Sequence, residues 1–404
     1  MPRQTQAVKT LSQIIRTEAA TAGVLPFARF MELALYCPVH GYYEKQKDNV
    51  GPRGDFYTSV STGELFGQLL AFQFSNWLEE LRIADCGLRI VEAGAHDGQL
   101  AKDILNWLQL HRPRLFSEIE YWIIEPSTRR QEWQQKMLKD FPNVRWHDSQ
   151  LSTLNSQLNG IIFSNELLDA MPVHRYGWDA RNKKWFEWGV AVEGEKFVWA
   201  RMPGPLTRPE ATLSPTGEEG RVRGHRSGLG FMDKAGERGS FADLPSSIFH
   251  LPSSLLEVLP DGYTIETSPA AENWWRDAAG ILAHGKLLAI DYGHGADELF
   301  SPARTRGTLR AYFRHHVSDD LLANVGEQDI TAHVNFSAIQ SAGEAAGLAT
   351  ESFTTQPQFL TQILGAAMKD KSFGEWNTRR TRQFQTLTHP EHLGRAFRVL
   401  VQSR

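Results

Sequence analysis

Cysteine is nearly absent from this sequence, which has only Cys37 and Cys86 among its 404 residues. Their spacing fits neither a zinc site nor a redox motif. We therefore expect two reduced, buried thiols in a chain that folds in a reducing compartment.

Long apolar runs and a strong charge of either sign are also missing. No run approaches the roughly 20 apolar residues that a membrane-spanning helix needs, and the formal net charge is only −4. We therefore expect no membrane insertion and no nucleic-acid partner. The 41% hydrophobic and 22% charged residues are typical of a soluble globular protein with a sizeable core.

The first acidic residue is Glu18, and three basic residues, Arg3, Lys9 and Arg16, precede it. This pattern is compatible with a short targeting presequence, but the apolar residues at 11–15 fit the buried side of a first helix equally well. We expect a cytoplasmic location, with the mitochondrial matrix as the alternative.

Short apolar runs alternate with helical stretches from residue 88 onward. Five runs predict strands, and they are Leu88–Ala93, Tyr121–Ile124, Val144–Trp146, Gly160–Phe163 and Lys286–Ile290. Leu100–Leu110, between the first two, has helical periodicity, so the pattern predicts βαβ units and a mostly parallel sheet. Arg395–Val401 is a candidate closing strand at the C-terminus.

Other regions depart from this alternation. Residues 10–37 and 65–77 have the period of amphipathic helices. Lys184–Ala200 predicts a β-hairpin with its turn at 193–196. Residues 203–245 are rich in Gly, Pro, Arg and Glu, which favours an inserted excursion or mobile loop over an independent domain.

A glycine-containing turn follows the first predicted strand. Gly94 permits a tight turn, and Gly98 lets the next helix start close to the sheet. A dinucleotide fingerprint anchored at Gly94 would need glycines where His96 and Gln99 stand. S-adenosylmethionine has no pyrophosphate, so the looser turn favours this cofactor over NAD.

Two acids follow the next predicted strands. Glu125 closes the second strand, where a carboxylate can accept hydrogen bonds from both ribose hydroxyls of a nucleoside. Asp148 follows the third strand, where it can contact the adenine amino group. Each has a plainer alternative, because Glu125 can be a helix N-cap and Asp148 a solvated loop acid.

Distinctive short motifs are spread along nearly the whole chain. They are FMELALY at 30–36, HGYY at 40–43, GDFYT at 54–58, SNELLDAMPV at 164–173, IETSP at 265–269, DYGH at 291–294, GTL at 307–309 and TAHVNF at 331–336. In identity and order they resemble the MidA-like proteins, a family that includes the mitochondrial complex I assembly factor with arginine methyltransferase activity. The chain departs from the family's pattern at His96, which stands at the middle glycine of E-x-G-x-G-x-G, and at Asn335, where the family commonly has aspartate.

The resemblance implies a Rossmann-like class I methyltransferase fold, in which a mostly parallel, seven-stranded α/β sheet carries an N-terminal helical segment and an inserted hairpin and loop. It also implies S-adenosyl-L-methionine as cofactor. The implied acceptor is an arginine of a protein, such as a respiratory complex I subunit or an equivalent bacterial target, with symmetric dimethylation.

These expectations divide the chain into four parts. They are an N-terminal helical segment and lid at 1–85, the first part of the cofactor-binding domain at 86–180, the inserted hairpin and loop at 181–250, and the remainder of the domain at 251–404.

The resemblance also extends the set of candidate cofactor residues. It suggests that the leading segment with Asp55 and Thr58 folds over the pocket, although a surface turn is the plainer alternative. The candidate cofactor-binding residues are Glu92, Gly94, His96, Gly98, Glu125, Asp148, Asn165, Asp55 and Thr58. No histidine spacing matches a set of metal ligands, so we expect no metal.

Methyl transfer to a guanidinium calls for carboxylates nearby. They bind the cation through paired hydrogen bonds, localise its charge away from the attacking nitrogen and accept the released proton. Glu166 and Asp169 follow the fourth predicted strand, at the edge where ligands bind in such sheets. We expect Glu166 to clamp the guanidinium, with Glu266 as its candidate partner and Asp169, Asp291 and His333 as further candidates. Asp169 and Asp291 have the alternative of ordering a loop or turn.

Three other functions stay open on the sequence alone. The chain can be a methyltransferase for a small molecule, or an assembly or interaction protein without turnover, which His96 in the glycine turn favours. The third is an NAD-dependent oxidoreductase, which the missing glycines disfavour. The aromatic residues of the predicted hairpin fit a homodimer or partner surface as well as they fit packing onto the domain.

Overall fold

The computed structural model describes residues 10–45, 58–81, 87–148, 151, 157–203, 257–314, 316–318, 320–370 and 373–404. The candidate residue Asp55, the thiol of Cys86 and the predicted loop beyond Pro203 lie outside the described residues.

The α-helices are α1 Leu11–Ala22, α2 Phe27–Tyr36, α3 Leu65–Glu80, α4 Gln99–His111, α5 Pro113–Glu118, α6 Thr128–Met137, α7 Pro269–Ile281, α8 Ala296–Leu299, α9 Phe336–Ala345, α10 Gln356–Ala367 and α11 Thr378–Thr388. Short 3-10 turns cover Tyr42–Glu44 and Val60–Thr62. Within the described ranges, no helix has both the length and the apolar character needed to cross a membrane.

The strands are β1 Leu25–Pro26, β2 Leu88–Ala93, β3 Ile119–Ile124, β4 Val144–His147, β5 Leu158–Asn165, β6 His174–Asp179, β7 Lys184–Glu193, β8 Lys196–Arg201, β9 Thr264–Thr267, β10 Leu282–His294, β11 Arg310–Phe313, β12 His316–Ser318, β13 Asp329–Thr331, β14 Val334–Asn335, β15 Ala349–Thr355 and β16 Phe397–Ser403.

The central sheet has the strand order β4-β3-β2-β5-β10-β16-β15. Its strands from β4 to β10 pair in parallel, whereas β16 runs antiparallel to both of its neighbours. The two-residue strand β14 also pairs with β10, so the sheet has eight strands. The mostly parallel α/β fold is confirmed. The predicted count of seven strands is one too low, because β14 is too short to leave a periodic signal in the sequence.

Helices cover both faces of this sheet. Leu288 and Ile290 of β10 pack with α3, α4, α10 and α11, whereas Leu287 and Ala289 face the opposite cluster with α7 and α9. Because both faces are buried, the inner strands are continuous apolar runs. Each fully buried Leu or Ile side chain contributes about 1.5–3 kcal/mol to this core. The sheet is therefore a rigid support for the loops at its edge.

A second, antiparallel sheet has the order β1-β7-β6-β9, with β8 paired to β7. The predicted hairpin is β7 and β8, and Gly194 adopts a φ of +57° in its turn. The helical region predicted at 10–37 is interrupted, since Gly23 at φ +77° follows α1 and Pro26 precedes α2. Both helices pack against this sheet. The division into domains stays a prediction.

A third sheet of three short strands has the order β12-β11-β13. Its apolar residues, among them Ala311 and Ile330, share a buried cluster with α1 and α2. Residues of the N-terminal region, such as Tyr36, and residues of this small sheet, such as Asp329, therefore meet beside the carboxyl ends of β2, β5 and β10.

Candidate functional site

A cavity of about 650 Å³ opens at the carboxyl ends of β2, β5 and β10. Gly94, Asn165 and Tyr292, which follow or end these strands, line it. The volume falls within the range of roughly 300–1,000 Å³ that is typical of ligand sites. The carboxyl edge of a parallel sheet is also the place where such folds bind ligands.

The turn between β2 and α4 forms one wall of the cavity. Gly94, His96 and Gly98 have φ angles of +77°, +47° and +89°. A Cβ at Gly94 would lie 3.0 Å from the Leu167 side chain, so glycine is needed there both for its conformation and for space. His96 adopts a left-handed conformation, which glycine takes without strain, and Gln134 Nε2 donates to its carbonyl at 3.0 Å. The substitution at His96 therefore preserves the turn.

Asp97 completes the start of α4. Its Oδ1 accepts a hydrogen bond from the backbone N–H of Gln99 at 3.0 Å. Burial acts to raise the pKa of Asp97, but the hydrogen bonds from His96 and the helix start outweigh it and lower this pKa. The remaining free N–H groups of the turn suit a ligand carboxylate, as at other helix N-termini.

Glu125 lies at the end of β3 and is almost fully buried. Its Oε1 accepts from Ser127 N and its Oε2 from Gln134 Nε2, both at 3.0 Å. Burial raises the pKa of this carboxyl. Glu125 does not itself line the cavity, whereas the nearby Arg130 and Tyr43 do, and Arg130 Nε donates to the Tyr43 carbonyl at 3.1 Å.

Asp148 and Gly98 are two further candidates that do not line the cavity. Asp148 is exposed just beyond β4. Gly98 contacts the protein instead, since its N–H donates to the Ala95 carbonyl at 2.7 Å. The structure thus brings Glu92, Gly94, His96, Asn165 and Thr58 together in the cavity wall and leaves Asp148 outside it.

Two buried polar groups in the wall suit the methionine end of S-adenosylmethionine. Asn165 Oδ1 is a buried acceptor that has no hydrogen-bond partner among the described residues, and it can accept from an ammonium group. Glu92 receives the Tyr121 hydroxyl at 2.7 Å, and burial raises the pKa of Glu92 to about 8. With the glycine turn and Glu125, these residues fit this cofactor.

A second group of acids comes later in the sequence but lies in the same cavity. Glu166 and Asp169 line it together with Asp329. Burial raises the pKa of Glu166 to about 8, and the charges of Asp291 and Asp329 add to this effect. Burial also raises the pKa of Asp169, and the same two neighbours, with Glu166, raise it further. The cavity is therefore rich in carboxyl groups that favour a cationic partner.

Glu166 has an unusual backbone, with a φ of +52°. Its Oε1 accepts from Ser59 N at 3.1 Å and from Asn165 Nδ2 at 3.2 Å. Its own N–H donates to the Ile290 carbonyl at 3.0 Å. A non-glycine residue in this region is costly by about 1–3 kcal/mol and persists only when its surroundings hold it, as is common at functional sites.

Asp291 lies behind this loop rather than in the cavity wall. Its Oδ2 accepts from the N–H groups of Leu167 and Leu168 at 3.1 and 2.8 Å, and its Oδ1 accepts from Tyr292 N at 2.8 Å. Burial raises the pKa of Asp291 to about 7 in spite of these hydrogen bonds. The carboxylate thus fixes the segment that carries Glu166 and Asp169.

Glu266 and His333 are placed differently. Glu266 in β9 accepts from Thr308 N at 2.7 Å and lies 3.6 Å from Arg175 Nε, in a small cleft separate from the main cavity. His333 lines both the cleft and the cavity, and burial lowers its pKa to about 4. The structure therefore does not bring Glu266 next to Glu166.

Several residues of the cavity wall were not predicted from the sequence. They are Tyr36, Tyr43, Tyr292, Tyr312, Arg130, Arg310 and Asp329. The first three tyrosines belong to the recognised motifs, and Asp329 stands two residues before the motif TAHVNF, so proximity to those motifs was the available signal. In the part of the chain that the structure describes, no cluster of three or more His, Cys, Asp or Glu residues is arranged to hold a metal.

Comparison with known proteins identifies the family. A family model described as "Putative S-adenosyl-L-methionine-dependent methyltransferase" matches residues 69–354. The chain belongs to this family. The recognition made from the motifs is confirmed, and S-adenosylmethionine is the cofactor.

Solved and curated relatives support the assignment. A crystal structure from Burkholderia thailandensis, described as a "likely methyl transferase" bound to S-adenosyl-homocysteine, is 30% identical with a TM-score of 0.76, over 98% of this chain and 92% of that one. The mitochondrial protein arginine methyltransferase NDUFAF7 of Mus musculus is 26% identical, over 86% of this chain and 73% of its own length. The Homo sapiens protein of that name is 26% identical, over 81% and 68%.

Proposed function

We propose that this S-adenosylmethionine-dependent methyltransferase methylates an arginine side chain of a protein. The observation that carries the proposal is the group of carboxyl residues, Glu166, Asp169 and Asp329, in the wall of a single cavity. The names of the curated relatives add support, since they are protein arginine methyltransferases.

The cofactor, when bound, supplies an electrophilic methyl group on a sulfonium. Asn165, Glu92 and the turn from Gly94 to Gly98 would hold its methionine end, and Glu125 would hold its ribose. Asp148, which lies outside the cavity wall, would make only a weak contact with the adenine. The cavity lining and the orphaned acceptor of Asn165 support the roles at the methionine end, whereas the role of Glu125 rests on its position directly after β3.

The protein's own chemistry concerns the acceptor. A guanidinium is a poor nucleophile because its charge is delocalised and its pKa lies above about 12. Glu166 and Asp169 bind it by charge-assisted hydrogen bonds and concentrate the positive charge on the nitrogens that they contact. The bound cation favours the ionised form of Glu166, whose carboxyl otherwise has a pKa of about 8, and this carboxylate then takes the proton that the methylated nitrogen releases.

The remaining candidates act around this pair. Asp291 positions the loop of Glu166 and Asp169 through its two hydrogen bonds from the backbone N–H groups of Leu167 and Leu168. His333 stays neutral in the wall, because of its lowered pKa. We leave Glu266 out of the acceptor site, since its carboxylate lies in the separate cleft, 3.6 Å from Arg175 Nε and hydrogen-bonded to Thr308.

The acceptor protein is proposed by likeness alone. The relatives named NDUFAF7 are mitochondrial, which supports a mitochondrial rather than a cytoplasmic location. A respiratory-complex subunit as the target rests only on the family resemblance of the sequence motifs. Symmetric dimethylation rests on the same likeness. A homodimer stays a prediction of the sequence.

A transfer assay with methyl-labelled S-adenosylmethionine and a cell extract tests the proposal. We expect label in the protein fraction, stable to mild base, and we expect the Glu166→Gln variant to lose it. The matched control is Glu327→Gln, an exposed carboxylate paired with Lys45 outside the cavity. Label that appears in small molecules, or in base-labile methyl esters, would exclude arginine methylation.

A further inference from the structure

Asp329 adds a carboxylate to the pair Glu166 and Asp169, and it comes from an element that carries none of the recognised site residues. It starts β13 in the small three-stranded sheet and is 2% exposed, yet it lines the same cavity as Glu166 and Asp169. Its charge contributes to the raised pKa of both other acids, after burial and the charge of Asp291. The three carboxyl groups therefore act on the same region of the cavity.

The orientation of Asp329 is fixed by two donors. The hydroxyl of Tyr43 donates to Oδ1 at 2.8 Å, and the backbone N–H of Ile330 donates to the same oxygen at 3.0 Å. Burial raises the pKa of the Tyr43 hydroxyl well above its usual value, so this group remains a donor. Two hydrogen bonds to one oxygen hold the carboxylate in a single direction.

Tyr43 also reaches the cofactor side of the site. Its carbonyl accepts from Arg130 Nε at 3.1 Å, and Arg130 acts on the carboxyl of Glu125 through its charge. The rings of Tyr43 and Tyr36 lie 5.4 Å apart and form an aromatic wall beside the acids. A planar cation can stack on such a wall while carboxylates contact its edge.

Glu166 and Asp169 call for a positive partner. Among the described ion pairs, none joins Glu166 or Asp169 to a basic side chain, and unpaired carboxylates in a desolvated cavity are costly. A guanidinium has five N–H donors in one plane, so it can contact carboxylates on more than one side. A neutral urea of the same shape cannot offset their charge.

We propose that Asp329, held by Tyr43, is the specificity-determining carboxylate that makes the acceptor site select a cationic guanidinium over a neutral side chain of the same shape. This inference rests on the proposed function, because it assigns the acceptor of that same site. Glu166 carries the proton transfer, whereas Asp329 contributes binding.

The test compares two pools of peptides on protein saturated with S-adenosyl-homocysteine. The peptides are randomised around one central residue, which is arginine in the first pool and citrulline, its neutral isostere, in the second. The proteins are the wild type, Asp329→Asn, Tyr43→Phe and the control Glu327→Gln. Glu327 lies two residues from Asp329 and pairs with Lys45, next to the same Tyr42–Glu44 turn, but does not line the cavity.

We expect the wild type and Glu327→Gln to prefer the arginine pool by about tenfold or more. Asp329→Asn should lose most of this preference and Tyr43→Phe part of it. Both variants should keep the wild-type affinity for S-adenosyl-homocysteine and the wild-type thermal midpoint. A purely structural role of Asp329 or Tyr43 would instead change these two quantities.

The outcomes separate the two proposals. If the wild type prefers arginine and Asp329→Asn does so equally, the role of Asp329 is overturned and the proposed function stands. If the wild type does not distinguish the pools, including by binding neither, the site does not select a guanidinium and the proposed function fails with it. If Asp329→Asn loses the fold, the result for Tyr43→Phe decides, and an unchanged preference there overturns the inference.

Discussion

The backbone N–H of Ser59 donates a hydrogen bond of 3.1 Å to Oε1 of Glu166. The Ser59 hydroxyl in turn donates to Gln356 Oε1 at 3.2 Å, and Gln356 Nε2 donates to the Leu387 carbonyl at 2.9 Å. The acid at the end of β5 is therefore held by a segment far earlier in the chain, which is itself anchored to α10 and α11. These contacts over-determine the strained backbone of Glu166.

Replacement of Glu166 by Gln should lower the rate of methyl transfer by about a hundredfold or more, because the amide can neither accept the proton nor balance the cation. The side chain keeps its size and its acceptor oxygen for Ser59, so the affinity for S-adenosyl-homocysteine should stay within about twofold of the wild type. Initial rates and calorimetric titration measure the two quantities. A variant with full activity would remove Glu166 from the chemistry.

The raised pKa of Glu166 also makes stability depend on pH. The folded protein keeps a proton on this carboxyl up to pH about 8, whereas the unfolded chain releases it near the ordinary value of 4.5. Between these pH values the folded state binds more protons, so its stability is fully present below pH 4.5 and falls as the pH rises towards 8. Glu92 acts in the same direction.

The free energy of unfolding measured in urea at pH 5 and pH 8 tests this linkage. The decrease from pH 5 to pH 8 should be smaller in Glu166→Gln than in the wild type, and Glu327→Gln should retain the wild-type decrease. Equal decreases in all three proteins would mean that the Glu166 carboxyl is ionised in the folded state throughout this range.

Glu125→Ala should weaken S-adenosylmethionine binding by about ten- to a hundredfold, since a hydrogen bond to a charged group contributes roughly 1.5–3 kcal/mol. Asp148→Asn is the matched comparison, because Asp148 is exposed and lies outside the cavity wall. Its effect on the same calorimetric titration should be within about threefold. A larger loss in Asp148→Asn than in Glu125→Ala would reverse the two assignments.

His96 allows a test of the glycine turn. Its φ of +47° is accessible to His and Gly but strained for a β-branched residue. We expect His96→Gly to keep the cofactor affinity within about threefold, and His96→Val to destabilise the fold by about 1–3 kcal/mol. Thermal melts and titrations follow both. An equal response of the two variants would show that the imidazole, and not the backbone, matters at this position.

The central sheet could be predicted because its strands are long and apolar on both faces. β2, β3, β5 and β10 pack between helices, and their carboxyl ends carry the glycine turn and the acids after β5. β6 and β9 were missed. They are short strands, β9 with only four residues, and the pairing of β9 with β6 joins segments far apart in the sequence.

The acceptor side of the site was harder to predict for the same reason. Asp329 stands at the start of a three-residue strand, too short for any periodicity to mark it. Glu266 looked comparable to Glu166 in the sequence, because each stands in an acidic motif after apolar residues. Only the packing of β9 into the second sheet reveals that its carboxylate faces Arg175 and Thr308.

The identity of the methylated residue tests the central claim most directly. Protein labelled by the wild-type enzyme from methyl-labelled S-adenosylmethionine is hydrolysed in acid, and its amino acids are separated. The account predicts that the label co-migrates with methylated arginine, with symmetric dimethylarginine as the end product. Label in methyllysine or methylhistidine, with none in arginine, would contradict it.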